Sequence, residues 1–278
     1  MKKIKLYETR DFSGNFDTTL NFIKQNYGAI LKPLLIVIPV ILLAVYLQPN
    51  TSDIQVDYQN PWVAFAQVFS FEFLLANILI WLSLFIVMLY TTCYMAEYVK
   101  SADGKVDTAN VWPKVFASIL PVLAASILYS ILMAVGFLLC LIPGIMIAVY
   151  LYFYMYVYIV EDRGVVDSLQ RSYELVKGNW WVTFGYLIVF GIISFILSLI
   201  FMIPSIFVGL GAFMQIDFLT GDVFIYIASF IKGIGQVLVY PIVYIAGGVM
   251  YFSYRNQLEG IDMESDIDNI GEPQDQSL

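Results

Sequence analysis

Histidine is absent from the 278 residues, and there are only two cysteines, Cys93 and Cys140. Without histidine the chain lacks the commonest general base and the commonest transition-metal ligand. Both cysteines fall inside apolar runs, which argues against a disulfide framework. Charge is scarce as well: 13% of residues carry it, against roughly a quarter in a soluble domain. No basic patch offers a surface to nucleic acid, and no paired acids or nucleophile motif lie within the apolar runs. Catalysis, a bound metal and a cofactor are therefore not expected. Nor does the chain open on a secretory signal, since about thirty mixed polar residues precede the first apolar run.

What is present is hydrophobic, at 60% of residues, too much to hide in one soluble core. A bilayer core of ~30 Å needs roughly 20 apolar residues in a helix. Six segments meet or approach that length, at about 31–47, 74–96, 115–139, 144–160, 184–203 and 223–251. The third and fourth are separated only by Cys140-Leu141-Ile142-Pro143-Gly144, which reads as a tight hairpin. The expected fold is all-α: a polytopic membrane bundle of six transmembrane helices in three hairpins, each introduced by a cytoplasmic interfacial helix. Three regions follow: a cytoplasmic segment 1–30 with an amphipathic helix, a membrane domain 31–256, and an acidic disordered tail 257–278.

The net charge of −8 reflects that tail more than the body. Seven of the 22 acids (Glu259, Asp262, Glu264, Asp266, Asp268, Glu272 and Asp275) lie in the last twenty residues, with no Lys or Arg after Arg255. Basic residues set the orientation. Thirteen of fourteen precede the odd-numbered spans or follow the last one, and the loops between them and the even spans carry none. That places both termini in the cytoplasm of a bacterial inner-membrane protein. The exception is Lys232.

One unit looks to be used three times. Asp17-Thr18, Asp107-Thr108 and Asp167-Ser168 each open an amphipathic segment before an odd span, a helix-capping pattern that places an acid at the positive helix end. In the third copy Leu169, Tyr173 and Val176 recur at helical spacing while Arg171, Glu174 and Lys177 point elsewhere. This predicts an interfacial helix, with Gly178 and Asn179 ending it and Trp180 and Trp181 at headgroup depth.

The run from Ile142 to Phe184 carries Pro143-Gly144, Glu161-Asp162-Arg163-Gly164-Val165, Arg171-Ser172 and Lys177-Gly178-Asn179-Trp180-Trp181. It resembles a broad family of bacterial six-span membrane proteins that includes the membrane domain of some glycerophosphodiester phosphodiesterases. The resemblance implies a membrane module and not the hydrolase, because no α/β phosphodiesterase domain or metal cluster is encoded in these residues. Related sequences often place a basic residue in the span after Pro-Gly; here Tyr150 and Tyr152 stand nearby.

Two groups of residues are candidates for function. Arg171, Glu174, Lys177, Trp180 and Trp181 form a contact surface for a protein partner or membrane lipid at the cytoplasmic face. Glu72 and Lys232, at matching depth in spans two and six, form a possible intramembrane pair. Asn77, Gln215 and Gln236 add polarity to the same half, and Gly233, Gly235, Gly247 and Gly248 let span six approach its neighbours. Pro241 should kink that span. The sequence favours a non-catalytic module that scaffolds or regulates partners or lipids, with a small-solute or lipid transporter or channel as the alternative.

Overall fold

A computed structural model describes residues 3–48 and 70–262. Among the described residues the regular structure is helical throughout, and six helical segments are long and apolar enough to cross a bilayer. The chain is thus an all-α, multi-pass membrane protein. Its outward faces fit that solvent: Leu120, Leu138 and Phe213 are 76%, 86% and 87% exposed. Isolated apolar side chains on a surface are ordinary, but whole helices bearing them need lipid as their solvent.

The elements run α1 (Phe12–Leu34), a 3-10 turn (Leu35–Val37), α2 (Ile38–Leu47), α3 (Phe71–Lys100) and α4 (Thr108–Leu139). They continue with α5 (Leu141–Tyr150), α6 (Tyr154–Glu161), α7 (Val165–Val176), α8 (Trp180–Met214), the short α9 (Asp217–Thr220) and α10 (Asp222–Glu259). Two compact units divide them. One comprises Met1–Tyr27, Thr91–Phe190 and Val243–Leu278, the other Gly28–Tyr90 and Gly191–Ile242.

In the first unit the expected hairpin is present. Cys140 is a single extended residue between α4 and α5, and Pro143 sits in the first turn of α5, where its missing N–H costs no helical bond. Two glycines let the arms touch: a Cβ at Gly136 would lie 2.8 Å from Ile147 Cδ1, and one at Gly144 would collide with the Phe137 ring.

Several expectations need correction. The amphipathic segments before spans one and three are not separate interfacial helices. The first runs on into the span through Pro33 and the 3-10 turn, and the second begins α4 itself. In the first, the polar stripe faces protein: Asn15, Thr19 and Asn26 are buried, Thr19 Oγ1 lies 2.7 Å from the Tyr186 hydroxyl, and Tyr94 donates to Asn26 Oδ1. The polar stripe there marks packing on the first unit. Only the third segment, α7, is a helix of its own.

Of the three Asp caps, Asp107 caps α4 by accepting from the Ala109 N–H at 2.9 Å. Asp17 lies inside α1, whose first turn is held by Asp11 accepting from the Gly14 N–H. Asp167 lies in the first turn of α7, behind an N-cap at Gly164.

Span four is broken into α5 and α6 at residues 151–153. The tail is also shorter than expected, because α10 continues to Glu259. Residues 263–278 and the loop acids Asp53 and Asp57 lie outside the described residues. Pro241 lies within a continuous α10.

Candidate functional site

The family-like stretch in the first unit is built from α6, α7 and the end of α10. Along α7, Ser168, Leu169, Ser172, Leu175 and Val176 are buried, a stripe at helical spacing whose two serines keep it narrow. Ser172 enters the break in span four. Its Oγ accepts the Phe153 N–H at 2.9 Å and donates to the Tyr150 carbonyl at 2.9 Å. A broken span frees backbone groups that must find partners inside the protein. One hydroxyl of α7 supplies them.

The tyrosines of this span serve packing. Tyr154 stacks on Tyr129 and its hydroxyl lies 2.8 Å from Ser126 Oγ. Tyr156 stacks on Tyr251 and donates to the Tyr244 carbonyl. Tyr152 donates to the Val243 carbonyl at 3.3 Å, in the space that the missing side chain of Gly247 leaves open.

At the foot of α6 the side chain of Glu161 is only 4% exposed. It lies 2.9 Å from Arg163, 3.3 Å from Arg171 and 3.9 Å from Arg255, and it accepts the Tyr251 hydroxyl at 2.9 Å. Arg171 also meets Glu174 and Glu259, and Arg255 meets Glu259 and donates to the Tyr7 hydroxyl. Burial of Arg171 by itself would disfavour its charge. Glu161, and then Glu174 and Glu259, outweigh it, so its proton is held more tightly than usual. Burial likewise pushes the Tyr7 phenol up, partly offset by Arg255.

The N-terminal strip is pinned to this unit. Lys3 donates to the Val99 and Ser101 carbonyls, at the negative end of α3, and Arg10 N–H donates to Ser253 Oγ.

The structure therefore divides the five residues that the sequence assigns to a contact surface. Arg171 is inside an ionic network. Glu174, Lys177 and Trp181 remain exposed, and Trp180 donates its indole N–H to the Met146 carbonyl at 3.4 Å. Gly178, at φ +90°, turns the chain out of α7 as expected, a backbone state that favours glycine. Sequence reasoning missed Glu161 as the hub. The available signal was an acid closing an apolar span, followed within ten residues by two arginines.

The second unit holds an open cavity of about 230 Å³. One face of each of three helices lines it: Ile41, Val45 and Gln48 at the end of α2; Asn77, Ile80 and Leu84 on α3; Ser229, Lys232, Gly233 and Gln236 on α10. The spacing on each helix is three to four residues, so every element contributes one stripe. The expected Glu72–Lys232 pair is not formed. Glu72 bonds beside Ser70 in the first turn of α3, while Lys232 lines the cavity with no acid against it among the described residues. Both residues lie in the second unit, but no ion pair joins them.

Residues 66–244 match the model of a family described as a domain of unknown function (DUF7847), and the chain belongs to that family. No curated protein and no solved structure matches it.

Proposed function

Starting from membership of this family, we propose that the chain is a non-catalytic membrane module that scaffolds or regulates a protein partner at the cytoplasmic face of a bacterial inner membrane, with both termini inside. The observation that carries the reading is the division of labour on α7. Its buried side is committed to the fold through Ser172 and Arg171, while Glu174, Lys177 and Trp181 stay exposed. A rigid, amphipathic helix fixed by its inner side is a surface for recognition. The basic residues cluster on the loops of that side, which supports the orientation. The acidic tail, with five acids after residue 262 and no base, complements a partner with a basic surface. On this reading the likeness to the phosphodiesterase membrane domains, and the threefold repetition of the hairpins, belong to a shared membrane architecture.

The test is affinity purification of the full chain from its own membranes. A stoichiometric protein partner is expected, reduced several-fold by Lys177→Glu and lost on deleting residues 263–278. Substrate-dependent flux across liposomes containing this protein alone contradicts the reading and favours a transporter, the alternative for which the cavity of the second unit speaks.

A further inference from the structure

We propose that the cavity of the second unit is a binding site for the oxyanion head, phosphate or carboxylate, of an amphiphilic or small anionic ligand. Five polar side chains converge there, four of them with no bond made. Among the described residues, Gln48, Ser229, Lys232 and Gln236 have no hydrogen bond or ion pair from their side chains, and Asn77 uses only its amide nitrogen, on the Phe73 carbonyl at 2.8 Å. Lys232 is exposed and Gln48, Ser229 and Gln236 are half-buried, so the four reach an open cavity on otherwise apolar helices, where an ionisable side chain marks a site.

The charge of the lining decides the ligand's sign. Among the described residues Lys232 is the sole ionisable residue of the cavity wall, and it is a cation. It is also the one basic residue that departs from the charge pattern of the loops. An ammonium beside the carboxamide N–H groups of Gln48 and Gln236 and the Ser229 hydroxyl offers donors to several oxygens of one oxyanion.

Size and wall set the rest. About 230 Å³ is below the ~300–1,000 Å³ of sites that enclose drug-sized molecules. The cavity therefore takes a head and its first carbons, not a whole lipid. Ile41, Val45, Ile80 and Leu84 supply an apolar wall for those carbons, and the cavity is open, so a chain has a way out. Gly233 lets α10 pack closely against α2 in the wall: a Cβ there would lie 2.6 Å from Ile41 Cγ2.

The test uses the purified full chain in detergent micelles with three radiolabelled probes: phosphatidylglycerol, phosphatidylcholine and free glycerol phosphate. Saturable binding of phosphatidylglycerol is expected, at least tenfold tighter than phosphatidylcholine. Lys232→Gln and Gln236→Leu should each weaken it tenfold or more with an unchanged thermal midpoint, while Lys105→Gln, an exposed lysine of the other unit, keeps it. If glycerol phosphate alone binds in the same Lys232-dependent way, the oxyanion comes from a solute; if only the lipid binds, it comes from the bilayer. Either result supports the site. Binding that is indifferent to Lys232→Gln and Gln236→Leu overturns it, as does equal affinity for the zwitterionic lipid or no binding of any probe.

Discussion

Glu161→Ala is expected to lower the stability of the detergent-solubilised protein by about 3 kcal/mol, the scale for breaking a buried ion pair from one side. The carboxylate is 4% exposed and faces three guanidinium groups and the Tyr251 hydroxyl. Removing it leaves Arg171 and Arg255, at 12% and 20% side-chain exposure, with only Glu174 and Glu259 as counter-charges among the described residues. Glu161→Gln keeps the shape and one acceptor for Tyr251, so its loss should be smaller. Arg163→Gln should cost least, because that side chain is 44% exposed and exposed pairs contribute roughly 0–1 kcal/mol. Thermal unfolding of the three variants checks the order. A midpoint for Glu161→Ala no lower than that for Arg163→Gln contradicts the hub.

Ser172→Ala should destabilise the first unit by about 2–4 kcal/mol, since a buried backbone N–H and a part-buried carbonyl lose their partner at once. The Phe153 N–H and the Tyr150 carbonyl sit in a break where no helical bond can replace the hydroxyl, and Ser172 itself is fully buried. Ser172→Thr retains the oxygen and should recover part of the loss. Hydrogen exchange at Phe153 reads the local effect: it accelerates strongly in Ser172→Ala and less in Ser172→Thr. Equal protection in wild type and Ser172→Ala would show that the break is held some other way.

Both predictions fall where the sequence was hardest to read. Hydropathy locates spans because lipid demands long apolar runs, and the Cys140 hairpin announces itself through Pro143 and Gly144. The break at residues 151–153 carries no such mark. Its residues, Leu151-Tyr152-Phe153, suit a continuous helix, and the interruption depends on a serine nineteen residues further on. Similarly, Arg171 looked like a surface cation because helical spacing sets it apart from Leu169 and Val176. Its partners Glu161 and Glu259 are brought to it by α6 and α10, a contact that spacing along α7 does not encode. The polar stripe of α1 misled in the opposite sense. Asn15, Thr19 and Asn26 have the pattern of an interfacial helix, yet tyrosines from other helices bond to it. Lys232 was visible as an anomaly of charge, and its depth was legible by counting residues. What it faced was not, because the cavity that it lines is assembled from α2, α3 and α10, and counting residues along one span does not encode that packing.

The proposed role rests on the exposed side of α7, and site-specific photo-crosslinking in intact cells probes it most directly. A photoreactive residue at position 174 or 177 is predicted to give one discrete protein adduct, lost when residues 263–278 are deleted. The same residue at position 120, on a lipid-facing side of α4, should give no such adduct. Equal crosslinking from positions 120 and 177, or none from either position on α7, contradicts the account.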